Sequence, residues 1–285
     1  MKLQWYPGHM TKAVRMMQEN IKLIDLMIEI LDARIPFSSQ NPDIDELAKG
    51  KIRLVILNKA DLADDNITNS WIEYFKSKGI YAIKNDSRNN NATKKIVNDI
   101  MNCCSEKIER DRKRGIVNRP IRAMIAGIPN VGKSTFINAL TGKASAKTGN
   151  KPGVTKGKQW IKLSKSLELL DTPGILWPRF EDERTGEHIA YIGSMNDEII
   201  NSEEIACNLI KNIIEMKPSV IGERFKTDES KEAYEILKDI AKVRGCLIKG
   251  GEFNTEKAAD ILLDDFRSGK LSRISLERPE NEEEK

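Results

Sequence analysis

Gly127-Ile128-Pro129-Asn130-Val131-Gly132-Lys133-Ser134 decides the reading of this chain. It satisfies GxxxxGK[ST] in full, between the apolar run 121–126 and a helical pattern over 133–140. Glycines at both ends let backbone N–H groups wrap the α- and β-phosphates of a nucleotide. The helix N-terminus that follows adds a favourable dipole. Lys133 brings a point charge to the β- and γ-phosphates, and Ser134 offers a hydroxyl to Mg2+. Asn130, Val131, Gly132, Lys133, Ser134 and Thr135 are therefore the expected phosphate-side residues.

Downstream, Asp171-Thr172-Pro173-Gly174 closes the apolar stretch 166–170. An acid at the carboxyl end of a strand can hold Mg2+ through water, and the Gly174 N–H can meet a γ-phosphate. Between the two motifs, Lys151-Pro152-Gly153-Val154-Thr155 stands where a first switch belongs, so Thr155 is a candidate for Mg2+ and γ-phosphate contact. An ordinary Pro-Gly turn is the other reading of that stretch.

Upstream, Asn58-Lys59-Ala60-Asp61 follows the apolar run 53–57 and matches NKxD. The Asp61 carboxylate can accept hydrogen bonds from guanine N1–H and N2–H2, where adenine offers nothing equivalent. Asn58 reaches the other purine edge, and the stem of Lys59 covers its face. Asn85-Asp86-Ser87, after the apolar stretch 80–83, supplies Asp86 and Ser87 as base-capping candidates or plain turn formers.

Ordinary GTPases place the phosphate loop first and NKxD late; here that order is inverted. The chain resembles the circularly permuted (YlqF/YawG-type) P-loop GTPases, and within them the bacterial group acting in ribosome biogenesis. The resemblance is carried by Trp5-Tyr6-Pro7-Gly8-His9-Met10, Asp32-Ala33-Arg34-Ile35-Pro36, the extension of DTPG through Ile175-Leu176-Trp177-Pro178, and Arg244-Gly245-Cys246. It implies a GTP hydrolase acting late in assembly of the large (50S) ribosomal subunit, stimulated by that particle. Mg2+ is the implied cofactor, the subunit precursor with its rRNA and ribosomal proteins the implied partner, and the cytoplasm the implied place. A GTP-regulated RNA-docking scaffold with incidental hydrolysis is the alternative, kept open by Ile175. It stands where many GTPases carry a water-orienting glutamine. The resemblance offers His9 as the catalytic substitute, alongside Lys133 and Thr155; a helix-capping or RNA-touching histidine is the competing reading. Asn130 matches an asparagine that in some GTPases helps bind K+ beside the phosphates, where the cation supplies positive charge.

The wider sequence agrees. With 285 residues, 39% hydrophobic and 32% charged, the chain has room for one medium and one small domain. No apolar run approaches the roughly 20 residues of a membrane span, and the first residues lack a secretory signal pattern. Four cysteines and two histidines form no zinc-ligand spacing. The net charge is +4, but residues 107–122 hold seven basic side chains against two acidic, and residues 143–165 hold seven lysines and no acid. Either a polyanionic partner or a solvated face explains such runs.

Helical spacing over 9–24, a long charged helix over 92–114, and strands near 26–31, 53–57, 80–83, 121–126, 159–163 and 166–170 predict an α/β doubly wound sheet. Residues 1–178 thus form a circularly permuted G domain with an N-terminal amphipathic helix. Helical patterns over 202–216, 228–244 and 254–268 predict a small all-α domain over 179–285, implied by the resemblance to bind rRNA. His188 reads as structural or RNA-facing. The last nine residues, with five glutamates, read as a solvated, disordered acidic tail.

Overall fold

The computed structural model describes residues 8–86, 93–142, 159–177, 180, 182–196 and 200–280. Six strands make one sheet: β1 (Leu26–Asp32), β2 (Ile52–Asn58), β3 (Tyr81–Asn85), β4 (Ile121–Ala126), β5 (Gln159–Lys162) and β6 (Leu167–Asp171). Their order is β3-β2-β1-β4-β6-β5, parallel throughout except where β5 runs antiparallel to β6. β1 sits near the middle with every residue buried, which is why it reads as a nearly unbroken apolar run rather than an alternation.

Around the sheet run α1 (Gly8–Asn20), α2 (Pro42–Leu47), α3 (Asp65–Ser77), α4 (Thr93–Cys103), α5 (Ser105–Lys113) and α6 (Lys133–Thr141). Two of them start on side-chain caps: the Asn41 carboxamide accepts the Asp43 N–H, and the Asp64 carboxylate accepts those of Asn66 and Ile67. The single charged helix expected over 92–114 is instead two helices broken at Cys104. Ile96, Ile100 and Cys103 of α4 face the core, whereas α5 buries none of its residues. A turn at buried Cys104 frees the charged half from the sheet. Part of the basic stretch 107–122 is spent locally, Lys107 and Arg119 on Asp25 and Arg122 on Glu168.

Beyond the sheet lie α7 (Glu183–Tyr191), α8 (Ser202–Met216), α9 (Val220–Phe225), α10 (Ala233–Val243) and α11 (Thr255–Ser268). Helix α10 starts five residues later than the spacing predicts, because Glu229 is used to accept the backbone N–H groups of Ser219 and Gly222. Residues 205, 206, 209, 210 and 213 of α8 carry its buried stripe. The apolar core continues without a break from the sheet through Leu176 and Trp177 into these helices.

After α11 the chain turns at Gly269 (φ 78°) and runs back to the loops after β1 and β2. Ile274 N–H donates to Leu62 O (2.9 Å), Leu276 N–H to Arg34 O (2.8 Å), and Asp64 N–H to Ser275 Oγ (3.1 Å). Glu277, expected to open a solvated tail, is instead only 1% exposed. Its carboxylate accepts Phe37 N–H (2.7 Å) and Ser38 N–H (3.2 Å) and lies 2.7 Å from His188 Nδ1. Those donors offset the cost of taking a charge out of water. The acidic residues from 281 onward lie outside the described residues. His188 is buried within the same contact, as a structural residue.

Candidate nucleotide site

The carboxyl ends of β1, β2, β4 and β6 meet on one rim, where the strand order changes direction. Open α/β sheets bind ligands at such a rim. The β4–α6 loop, residues 127–132, lies there. Gly127 (φ 147°) and Gly132 (φ 96°) both occupy backbone conformations that side chains disfavour. A Cβ on Gly127 would strike the Ile30 carbonyl, and one on Gly132 would strike the Asn58 amide.

That second collision reports how close NKAD comes to the phosphate loop. Asn58, the last residue of β2, donates from Nδ2 to Val131 O at 2.7 Å and accepts from Asn85 Nδ2 at 3.0 Å. Two motifs far apart in sequence are thus stapled by one carboxamide. Asn85, buried at the end of β3, completes this staple, a role that its place in a turn-forming Asn-Asp-Ser string does not signal. Lys59 takes a left-handed conformation (φ 58°), and Ala60 and Asp61 enter the short 3-10 turn Ala60–Leu62. Asp86 follows β3, half-buried.

Lys133 is buried at the start of α6, with Nζ donating to Gly127 O (2.9 Å) and Ile128 O (2.7 Å). Burial pushes its ammonium down to about 8 while Asp171 resists. Asp171, at the end of β6, is pushed up to about 6 by burial, with Lys133 resisting. Neither Asp171 oxygen has a well-aligned hydrogen-bond partner among the described residues. Each charge therefore sits where water has been removed without full compensation. An anionic phosphate beside Lys133 and a divalent cation beside Asp171 would supply what is missing. Half-buried Ser134, in the first turn of α6, adds a hydroxyl for the metal, so the residues present fit Mg2+. Thr135 is exposed on the same turn.

The DTPG segment is clasped to the loop. Thr172 Oγ1 donates to Ile125 O (2.7 Å) and Ile175 N–H to Gly127 O (3.3 Å). A Cβ on Gly174 would stand 2.9 Å from both Lys133 Nζ and Pro129 N, so only glycine fits. Ile175 is 4% exposed, its carbonyl accepting from Asn41 Nδ2 (3.3 Å). Asn130 (φ 60°) hydrogen-bonds through Nδ2 to Gly193 O, and Ser194 Oγ donates to Pro129 O (2.6 Å). Both contacts tie the phosphate loop to the turn after α7. His9 lies in the first turn of α1. Its side chain, Ser87 and Thr155 all fall outside the described residues.

Over 281 residues the chain is 47% identical to ribosome biogenesis GTPase A of Bacillus cereus, spanning 98% of this chain and 95% of that one. The chain belongs to the ribosome biogenesis GTPase A family. A more distant member, from Thermotoga maritima, is 33% identical over 98% of this chain and 95% of its own. The GDP-bound structure of TM YlqF superposes with a TM-score of 0.71 at 29% identity, covering 93% of this chain and all of that one. GNP-bound YlqF from T. maritima gives 0.68, over 94% and 99%. A family model described as 50S ribosome-binding GTPase matches residues 122–245. That span holds the phosphate loop and DTPG and excludes NKAD, as expected where the permutation has moved NKAD ahead of the loop. As a ribosome biogenesis GTPase A family member, the protein is a P-loop GTPase of ribosome assembly that hydrolyses GTP.

Proposed function

We propose that this GTPase acts late in assembly of the large (50S) ribosomal subunit, docking through its helical domain on rRNA and ribosomal proteins in the cytoplasm. Hydrolysis is slow alone and accelerated on that particle. Asn58 and Asp61 select guanine, with Lys59 and Ala60 along the base and Asp86 and Ser87 capping it. Residues 130–135 cradle the phosphates, and Lys133 stabilises charge. Ser134 and Thr155 hold Mg2+ with Asp171 behind them, and Gly174 meets the γ-phosphate.

One observation carries the reading: the Asn58 Nδ2 to Val131 O hydrogen bond joins the base-reading and phosphate-reading motifs in one site. Support for the partner comes from the relatives' names and from the description 50S ribosome-binding GTPase. Phosphate release from GTP and ATP, with and without large subunits from depleted cells, tests it. GTP-selective release stimulated by the subunits is expected; equal release from both nucleotides, or no stimulation, removes the reading. The buried aliphatic side chain of Ile175 cannot hydrogen-bond water, so in this reading His9 or the particle supplies that function. Turnover higher in KCl than in NaCl is the expectation for a K+ held at Asn130.

A further inference from the structure

The Asp32-Ala33-Arg34-Ile35-Pro36 loop sits beside the guanine-reading motif. Asp32 is the last residue of β1 and pairs in register with Asn58, the last residue of β2; Ala33 N–H donates to Asn58 O at 2.8 Å. Backbone register thus delivers a carboxylate to the first residue of NKAD.

Asp32 is 0% exposed and Arg34 1%. Arg34 grips the carboxylate with two nitrogens, Nε to Oδ1 and Nη2 to Oδ2, both at 2.8 Å. Lys59 Nζ reaches Oδ2 at 2.9 Å. Burial by itself would raise the Asp32 carboxyl, but Arg34 and Lys59 outweigh it and hold it well below the usual carboxylate range. An ionised Asp32 therefore anchors Lys59, a non-glycine residue kept in a left-handed backbone conformation that L side chains disfavour.

Arg34 also faces the helical domain. Its Nη1 donates to Phe266 O of α11 at 3.0 Å, and its guanidinium lies 4.7 Å from the Phe266 ring centroid. The returning segment binds both sides of this assembly, Leu276 N–H on Arg34 O and Ile274 N–H on Leu62 O, one residue past Asp61.

We propose that Asp32 and Arg34 are positioning residues for guanine recognition, holding Lys59, and with it residues 58–61, in a geometry set by the docked helical domain. The proposal rests on the guanine-reading role given to those residues above. Linkage then makes the effect reciprocal: a partner that shifts α11 changes guanine-nucleotide affinity, and the nucleotide changes affinity for that partner.

The test measures GDP and XDP affinity and GTP turnover on the full chain. Asp61→Asn is the control, because an amide can donate to the xanthine C2 carbonyl. A shift in preference from GDP to XDP supports the guanine-reading role, and no shift removes that role. Asp32→Asn is expected to weaken GDP about tenfold and raise KM similarly, with kcat within twofold. Arg34→Lys, which keeps the charge but loses both the fork to Asp32 and the Nη1 bond to Phe266 O, is expected to raise KM severalfold. A purely structural role would lower melting temperature and active fraction without moving KM. Unchanged KM and GDP affinity in either folded variant, with Asp61→Asn still shifting to XDP, overturns the proposal. Should neither variant fold, hydrogen exchange on the unaltered chain decides. Residues 59–62 and 264–268 are expected to gain protection together on adding GDP, and gain at 59–62 alone overturns the link.

Discussion

His188 Nδ1 and Glu277 Oε1 stand 2.7 Å apart in a buried contact that joins the returning C-terminal segment to α7. Ser38 Oγ lies 3.2 Å from the same ring nitrogen and also donates to Glu277 Oε1. The carbonyl of Glu277 takes the Trp71 indole N–H at 3.2 Å. One residue near the end of the chain thereby joins α7, the loop after β1 and α3.

Glu277→Ala should therefore destabilise the whole protein. It strips the acceptor from the half-buried Phe37 N–H, from the buried Ser38 N–H and hydroxyl and from His188, a loss of about 3 kcal/mol. Urea unfolding should show a lower midpoint, and Glu280→Ala, at an exposed position, should leave it unchanged.

Glu29, buried in β1, gives a pH signature. Burial pushes its carboxyl up to about 7, against Arg53 and the Asn41 N–H, which pull down. The folded state then holds a proton that the unfolded chain releases at its ordinary pKa. Stability falls as pH rises from about 4.5 to about 7, by roughly 3 kcal/mol, and is level above. Unfolding free energies of Glu29→Gln across that range should lack this slope; an unchanged slope would exclude Glu29 as its source.

Gly132→Ala should separate the two halves of the site. The new methyl strains a left-handed position and displaces the Asn58 amide from Val131 O. Calorimetric titration should find GTP binding weakened more than tenfold, while far-ultraviolet dichroism stays that of a folded chain.

Metal removal should act through Asp171. EDTA is expected to lower GTP affinity at least tenfold in the unaltered protein and much less in Asp171→Asn. The same variant should melt higher without nucleotide, because at neutral pH it no longer holds a carboxylate that burial pushes up to about 6.

His9→Ala should leave GTP affinity intact and depress subunit-stimulated turnover. Unchanged single-turnover rates on the particle would take His9 out of the chemistry.

The nucleotide motifs were legible because each is a short run whose chemistry depends on its own residues and on ending a strand. Gly127 to Ser134, Asp171 to Gly174 and Asn58 to Asp61 all stand at strand ends, and periodicity located those strands to within two residues. Sequence composition misled at Glu277, since a glutamate among glutamates looks solvated until the donors that surround it are known. Asp32 and Arg34 were visible only as part of a recognisable string. Nothing in their spacing shows that β1 and β2 pair in a register placing Asp32 beside Asn58, or that α11 offers a carbonyl to Arg34.

By itself, then, the sequence determined the strand-and-helix alternation, the GxxxxGKS loop, the NKxD string and their inverted order, all properties of contiguous residues. Tertiary structure alone decided which partners met across long separations: Asn58 with Val131, Arg34 with Phe266, His188 with Glu277. Those contacts are selected by the burial of polar groups that must find a donor or acceptor once water is gone, and burial exists only in the folded chain.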